Sequence, residues 1–313
     1  AIFVAFNTTN FFLLRDQYPL SQLVALLLAQ SLIIMTGMID DIFELKPRQK
    51  VLGITLAALV VYFIANIKMT TLTVPFLGVV SLGWFSLPIT LIWILGITNA
   101  VNLIDGLDGL ATGVAIIALS TSALTGYFFL NVTSTFISIM MATLVAALLG
   151  FLPYNFHPAK IYLGDTGSLF IGFMISVFSL YGLKNATFIT LIIPVIILGV
   201  PITDTLYAIL RRLLNKKPIS QADKHHLHHR LMQMGLTHRQ TVLVIYGIAL
   251  IFSFISLLYP LSNLWGSILL TVATLFGLEL FVEAIGLVGD TRQPLLNGIK
   301  YLVLKVSHLF EHK

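Results

Sequence analysis

The sequence predicts an all-α polytopic membrane protein, a transmembrane helical bundle forming one integral membrane domain over residues 1–313. Three observations lead there. The chain of 313 residues is 58% hydrophobic and 10% charged, with a mean hydropathy of +0.96, which leaves no room for a large soluble domain. Its apolar residues fall into long runs that lack the ten-residue alternation of barrel strands, so helices are the expected spans. There is no cysteine, which excludes disulfides and thiolate metal sites.

Ten apolar runs follow one another. The first, Ala1–Leu14, is short for a span and lacks the charged flank and cleavage site of a signal peptide. It reads as the remainder of an N-terminally truncated helix. The others are Leu20–Ile39, Val51–Ile67, Pro88–Val101, Leu110–Leu130, Thr135–Leu152, Ser168–Leu183, Ala186–Thr203, Thr241–Tyr259 and Leu264–Val288. If successive runs alternate in direction, 40–50, 99–109, 153–167, 204–240 and the tail 289–313 share one face. Of the 18 lysines and arginines, only Arg15, Lys68 and Lys184 fall on the other face. The positive-inside rule makes the first face cytoplasmic, with 204–240 a cytoplasmic basic and histidine loop and 289–313 a cytoplasmic tail. Every polar cluster lies on that face.

The central cluster is Asn99-Ala-Val-Asn102-Leu-Ile-Asp105-Gly-Leu-Asp108-Gly109, at the end of the fourth run. Asn99, Asn102, Asp105 and Asp108 recur every third residue and share one face if the run stays helical, although the Asp-Gly pairs favour a turn. A polar cap needs one such residue, and four make a patch of oxygen ligands. At the end of the second run, Asp40 and Asp41 would repel, so a metal or other cation is expected beside them. The pair suits Mg²⁺-bound phosphate or a general base, with Lys50 within reach of a phosphate; the plain alternative is an acidic hairpin turn. The third cluster is His157-Pro-Ala-Lys160-Ile-Tyr162-Leu-Gly164-Asp165-Thr-Gly-Ser168. Asp165 is either a helix cap or a metal ligand, the glycines admit a phosphate, and Tyr162 offers a stacking face. The fourth is Lys224-His225-His226-Leu-His228-His229-Arg230, with His226, His229 and Arg230 at helical spacing. Zinc, anionic lipid and polyphosphate are all readings of it, and the cationic density suits polyphosphate best. Asp204, closing the eighth run, reads as a cap or a functional acid; Glu279 and Glu283, one turn apart within the last run, read as functional acids or as groups facing a lipid headgroup or another helix.

Taken together and in this order, the Asp40-Asp41 pair, the Asn99–Gly109 stretch, the His157–Ser168 stretch and the His226-Leu-His228-His229 loop resemble the polyprenyl-phosphate N-acetylhexosamine-1-phosphate transferases, glycosyltransferase family 4. The likeness is to the bacterial branch that starts wall teichoic acid, O-antigen or common-antigen synthesis, and it runs from Ala1 to at least Gly289. The resemblance implies eleven spans in the full-length family. It implies transfer of GlcNAc-1-phosphate from a UDP-N-acetylhexosamine to undecaprenyl phosphate with release of UMP, at the cytoplasmic face of a bacterial plasma membrane. Mg²⁺, with Mn²⁺ as a substitute, is the implied cofactor, held by Asn102 and Asp165. Asp40 and Asp41 match the catalytic pair, with Asp40 as base for the lipid phosphate, and Asp105, His228 and His229 join the catalytic group. Lys50, Asp108, Tyr162, His226 and Arg230 fall at substrate-binding positions. A homodimer is an admitted partner state, and nucleic acid is not an expected partner.

Two other readings stand beside this one. The peptidoglycan branch of the family, which uses UDP-MurNAc-pentapeptide, carries three consecutive histidines followed by Phe-Glu, where this chain has His-Leu-His-His-Arg. An ion or phosphate transporter would account for the spans, but its polar sites belong near the membrane midplane, and often in inverted repeats.

Overall fold

The computed structural model describes residues 2–14, 19–74, 78–129, 132–182, 185–216, 218, 226–287, 293–298 and 301. Lys224, His225 and most of the 289–313 tail therefore lie outside the described residues. The architecture is a helical bundle: α1 Ile2–Leu14, α2 Leu20–Phe43, α3 Pro47–Phe63, α4 Ser86–Leu103, α5 Leu110–Phe129, α6 Val132–Asn155 and α7 Gly164–Gly182. Then come α8 Phe188–Ile197, α9 Gly199–Leu214, α10 Leu227–Gln233, α11 His238–Leu258 and α12 Leu264–Ala284.

Each of the ten apolar runs is helical, but seven helices among the described residues are long and apolar enough to cross a membrane. The difference has local causes. Helix α1 covers 13 residues and α3 covers 17. The eighth run is interrupted: Asn185–Thr187 forms strand β3, and the helix breaks at Leu198 between α8 and α9. Pro201 has no N–H to offer the Ile197 carbonyl one turn back, which weakens the helix at that point. Helix α9 then runs on to Leu214, so Asp204 lies inside a helix instead of ending a span. The expected 204–240 loop shrinks to the segment between α9 and α11, and that segment itself contains α10.

Helix α7 occupies the centre, packed against α2 and α4, with Leu169, Ile171, Phe173 and Met174 almost fully buried. The α2 contact depends on Gly37: any side chain there would run into the backbone of Thr166 at the start of α7. That approach brings the end of α2 onto the first turn of α7. At the opposite end of the bundle, β1 (Thr71–Val74) pairs antiparallel with β2 (Gly78–Ser81) and parallel with β3. Chain direction places all four polar clusters at the end away from this sheet.

Candidate active site

Helix α4 stops at Leu103, so the three-residue spacing of Asn99, Asn102, Asp105 and Asp108 does not put them on one helical face. Asn99 bonds its own helix, donating to the Leu95 carbonyl at 2.7 Å. Asn102, on the last turn, donates to Asp165 and, at 2.8 Å, to Ser168. Asp105 and Asp108 lie on the turn before α5 and take different directions.

Asp40 and Asp41 also part company. Asp40 is 5% exposed and accepts the Leu45 N–H at 2.8 Å, closing the αL end of α2 at Glu44. Its carboxylate forms an ion pair with Lys50, on the first turn of α3, and the Lys50 ammonium reaches Asp165 at 3.1 Å. Asp41 instead covers the start of α7. It accepts the Asp165 N–H at 2.8 Å, the Thr166 N–H at 3.0 Å and the Thr166 hydroxyl. A helix N-terminus carries unpaired donors and partial positive charge, so a carboxylate is well placed there. The repulsion expected within the pair is thus relieved by two different partners. The α7 donors that a phosphate was expected to use are taken by Asp41.

Asp40 and Asp165 share a single ammonium, Lys50, and Asp105 lies close enough to Asp165 to feel its charge. Burial is the main force raising Asp105, followed by the charges of Asp165, Asp41 and Asp108, and its carboxyl is pushed up to about 7. Three residues on, Asp108 behaves in the opposite way. Burial alone would raise it, but the His157 ring at 2.9 Å, the Ala159 N–H at 3.1 Å and the nearby His238 hold it below the usual carboxylate range. A cavity of about 270 Å³ lies between the two, lined by Asp105, Asp108, Asn155, Tyr162 and Gly164. Tyr162 stands 75% exposed at its edge. Asn155 is buried, accepting the Thr112 hydroxyl at 2.7 Å and donating to the Ile161 carbonyl at 3.1 Å.

The histidine segment closes over the same turn. A Cβ on Gly106 would come within 2.5 Å of His228 Nε2, so the glycine is what allows the ring to lie there. Burial first, and the charge of His229 second, hold His228 down at about 4. It is therefore a neutral ring at pH 7, not the cation that the local density of basic residues suggested. His229 packs on it with ring centroids 4.2 Å apart. His226 is turned away, its Nδ1 2.8 Å from Asp204. Arg230 donates from Nε to the Ile285 carbonyl at 3.2 Å, tying α10 to the end of α12.

Sequence reasoning named His157 in a motif without giving it a role, left Asp204 open between a cap and a functional acid, and did not single out Asn155 or His238. The signals for the first two were a motif position and a lone acid at the end of an apolar run. His238 had none. Asp108, His157 and His238 bring three potential ligand atoms within 4.8 Å of one another. However, the two imidazoles are stacked, with centroids 4.0 Å apart and planes 20° apart. A ring nitrogen binds metal along its in-plane lone pair, and two near-parallel, separate planes cannot both contain one ion. The histidines serve here as a support for Asp108.

The family profile described as glycosyl transferase family 4 matches residues 23–183, which include Asp40, Lys50, Asn102, Asp105, Asp108 and Asp165. A probable undecaprenyl-phosphate N-acetylglucosaminyl 1-phosphate transferase of Bacillus subtilis is 45% identical over 288 residues, covering 91% of this chain and 79% of the relative. A decaprenyl-phosphate N-acetylglucosaminephosphotransferase of Mycobacterium leprae is 34% identical, covering 72% of this chain and 62% of that protein. A phospho-N-acetylmuramoyl-pentapeptide-transferase of Halalkalibacterium halodurans is 32% identical, covering 71% of this chain and 69% of its own length. With a family match over more than half the chain and a relative of this identity over most of its length, the protein belongs to glycosyl transferase family 4.

Proposed function

We propose that this multi-pass membrane enzyme transfers GlcNAc-1-phosphate from UDP-GlcNAc to undecaprenyl phosphate, giving undecaprenyl-diphosphate-GlcNAc and UMP. The observation that carries the reading is the convergence, at one end of the bundle, of a carboxylate cluster with a surplus of negative charge and a cavity edged by an exposed tyrosine. The likeness to the Bacillus subtilis relative favours the GlcNAc donor and the undecaprenyl acceptor.

The donor set fits a hard divalent cation. It is all oxygen, from Asp165, Asp105 and Asn102, and one ammonium, Lys50, faces two of the neighbouring carboxylates. Mg²⁺, or Mn²⁺ in its place, would be held by Asn102 and Asp165, with Asp105 beside them, and would supply charge neutralisation to the diphosphate. The protein's own groups do the rest. Tyr162 offers its face to the uracil, and Asp108, fixed and ionised, accepts hydrogen bonds from it. Lys50 meets phosphate oxygens between Asp40 and Asp165, and His228 and His229 approach from above the Asp105 turn. Asp40 receives the proton of the lipid phosphate, whose oxygen attacks the β-phosphorus. The bond from that phosphorus to the bridging oxygen breaks, and UMP leaves.

A water-soluble nucleotide and a membrane lipid can both reach a site at the membrane surface, and the lysine and arginine distribution favours the cytoplasmic side. Cysteines at Met234 and Ser81, both exposed and at opposite ends of the bundle, test this. In intact cells an impermeant thiol reagent should label Ser81→Cys and spare Met234→Cys. The transfer itself is tested with radiolabelled UDP-GlcNAc and undecaprenyl phosphate in detergent, with UDP-MurNAc-pentapeptide in parallel. Labelled lipid from UDP-GlcNAc alone is expected; product only from the pentapeptide donor would replace this reading with the peptidoglycan one.

A further inference from the structure

Asp204 is the most deeply buried carboxylate among the described residues, 2% exposed, on a helix that contributes no other group to the site. Both of its oxygens are committed to one short stretch. Oδ1 accepts the Leu227 N–H at 2.8 Å and Oδ2 lies 2.8 Å from His226 Nδ1. A carboxylate only accepts, so His226 carries its proton on Nδ1 and points that edge inward. Leu227 is the first residue of α10, so one side chain fixes both the start of that helix and the ring just before it.

The next histidine, His228, is the one that lies over Gly106. A seven-residue helix has little hold on its own orientation, so α10 takes it from its neighbours: it packs against α11, buries Leu227 and Leu231, reaches the Ile285 carbonyl through Arg230, and is hydrogen-bonded to Asp204 at its start. A hydrophobic pair would anchor such a helix as firmly as a buried acid and histidine, because desolvation offsets much of the pair's attraction. What the acid and histidine add is direction, since their hydrogen bonds fix the rotation of the helix about its own axis as well as its distance from α9.

Resting on the transfer reading above, we propose that Asp204 and His226 are a positioning pair: through the Leu227 N–H and the His226 ring they set the rotation of α10 so that His228 meets the donor diphosphate over the Asp105–Asp108 turn. The pair touches no reacting atom and acts through His228.

A double-mutant cycle tests this. Steady-state kinetics for UDP-GlcNAc are measured for wild type, Asp204→Asn, His228→Ala and the double variant, with the melting temperature of each purified protein alongside. Asp204→Asn should lose about tenfold or more in kcat/KM with little change in melting temperature. The double variant should be no worse than His228→Ala. Losses that multiply in the double variant, or wild-type kcat/KM in Asp204→Asn, overturn the proposal. Hydrogen exchange gives a readout that needs no turnover, so a failed transfer reading is told apart from a failed pair. Asp204→Asn should speed exchange at Leu227–Arg230 while leaving α11 unchanged, and unchanged exchange at Leu227–Arg230 overturns the pair whatever the wild type transfers.

Discussion

Asp105 and Asp108 sit three residues apart on one turn, line the same cavity and are treated in opposite ways. Asp108 is satisfied by the protein itself, through His157, Ala159 and nearby His238, and stays ionised. Asp105 faces other carboxylates and is pushed up to about 7. The difference separates two tasks. A carboxylate completed by fixed donors is a rigid acceptor, suited to reading a ligand. A carboxylate left among like charges is incomplete until a cation arrives, suited to holding one.

The sharpest way to break this division is to remove a charge from the incomplete side. Asp165→Asn or Asp105→Asn should each lower kcat/KM by roughly 10²–10³, because electrostatic stabilisation of transferring phosphate is at stake. The loss should appear in kcat at saturating UDP-GlcNAc, and a near-normal kcat in both variants would remove the cation role from this side. On the completed side the expected loss is smaller and of another kind. Asp108→Asn should raise KM for UDP-GlcNAc and cost about tenfold to a hundredfold in kcat/KM, the worth of one charge-assisted hydrogen bond. His157→Ala should move KM in the same direction by less, since the Ala159 N–H remains. In neither should the dependence on added Mg²⁺ change; a shifted Mg²⁺ requirement in Asp108→Asn would merge the two tasks. Smaller again, Gly106→Ala should cost about tenfold in kcat/KM by displacing the His228 ring, without altering the pH dependence of stability. Activity equal to wild type would mean that the ring gives way without consequence.

Much of this could be read before the structure. The ten helical runs, the gathering of four polar clusters at one end and the identity of Asp40, Asn102, Asp105, Asp165 and His228 as its members follow from hydropathy, chain direction and motif order. What could not be read is how each group is spent. Asp40 and Asp41 are adjacent in sequence, yet one pairs with Lys50 and the other caps α7, because the end of α2 presents them to different neighbours. Asn99 and Asp108 repeat the spacing of Asn102 and Asp105, but α4 stops at Leu103 and the repeat loses its meaning. The eighth run hid a helix break, since Pro201 does not disturb its average hydropathy, and the acid that follows it, Asp204, turns out buried inside α9 instead of capping a span. His238 is marked by its stacking on His157 and its nearness to Asp108, contacts between elements far apart in the chain. The electrostatic state of His228 is likewise a property of burial, which a count of basic residues cannot supply.

The central claim is that the Asp105 side is held open for a cation, and its most direct test is the melting temperature of the purified protein against pH, with and without Mg²⁺. The folded carboxyl of Asp105, near 7, lies above its unfolded value, so the metal-free folded state binds the extra proton between those two pKa values. Its stabilising contribution is full at low pH and is lost as pH rises through about 7. Metal-free wild type should therefore melt lower at pH 8 than at pH 5.5. Mg²⁺ should raise the melting temperature at pH 8 and do little at pH 5.5, where the site is already protonated. In Asp105→Asn the metal-free difference should shrink and the Mg²⁺ response at pH 8 should fall. A Mg²⁺ response equal at both pH values, and unchanged in Asp105→Asn, would contradict the account.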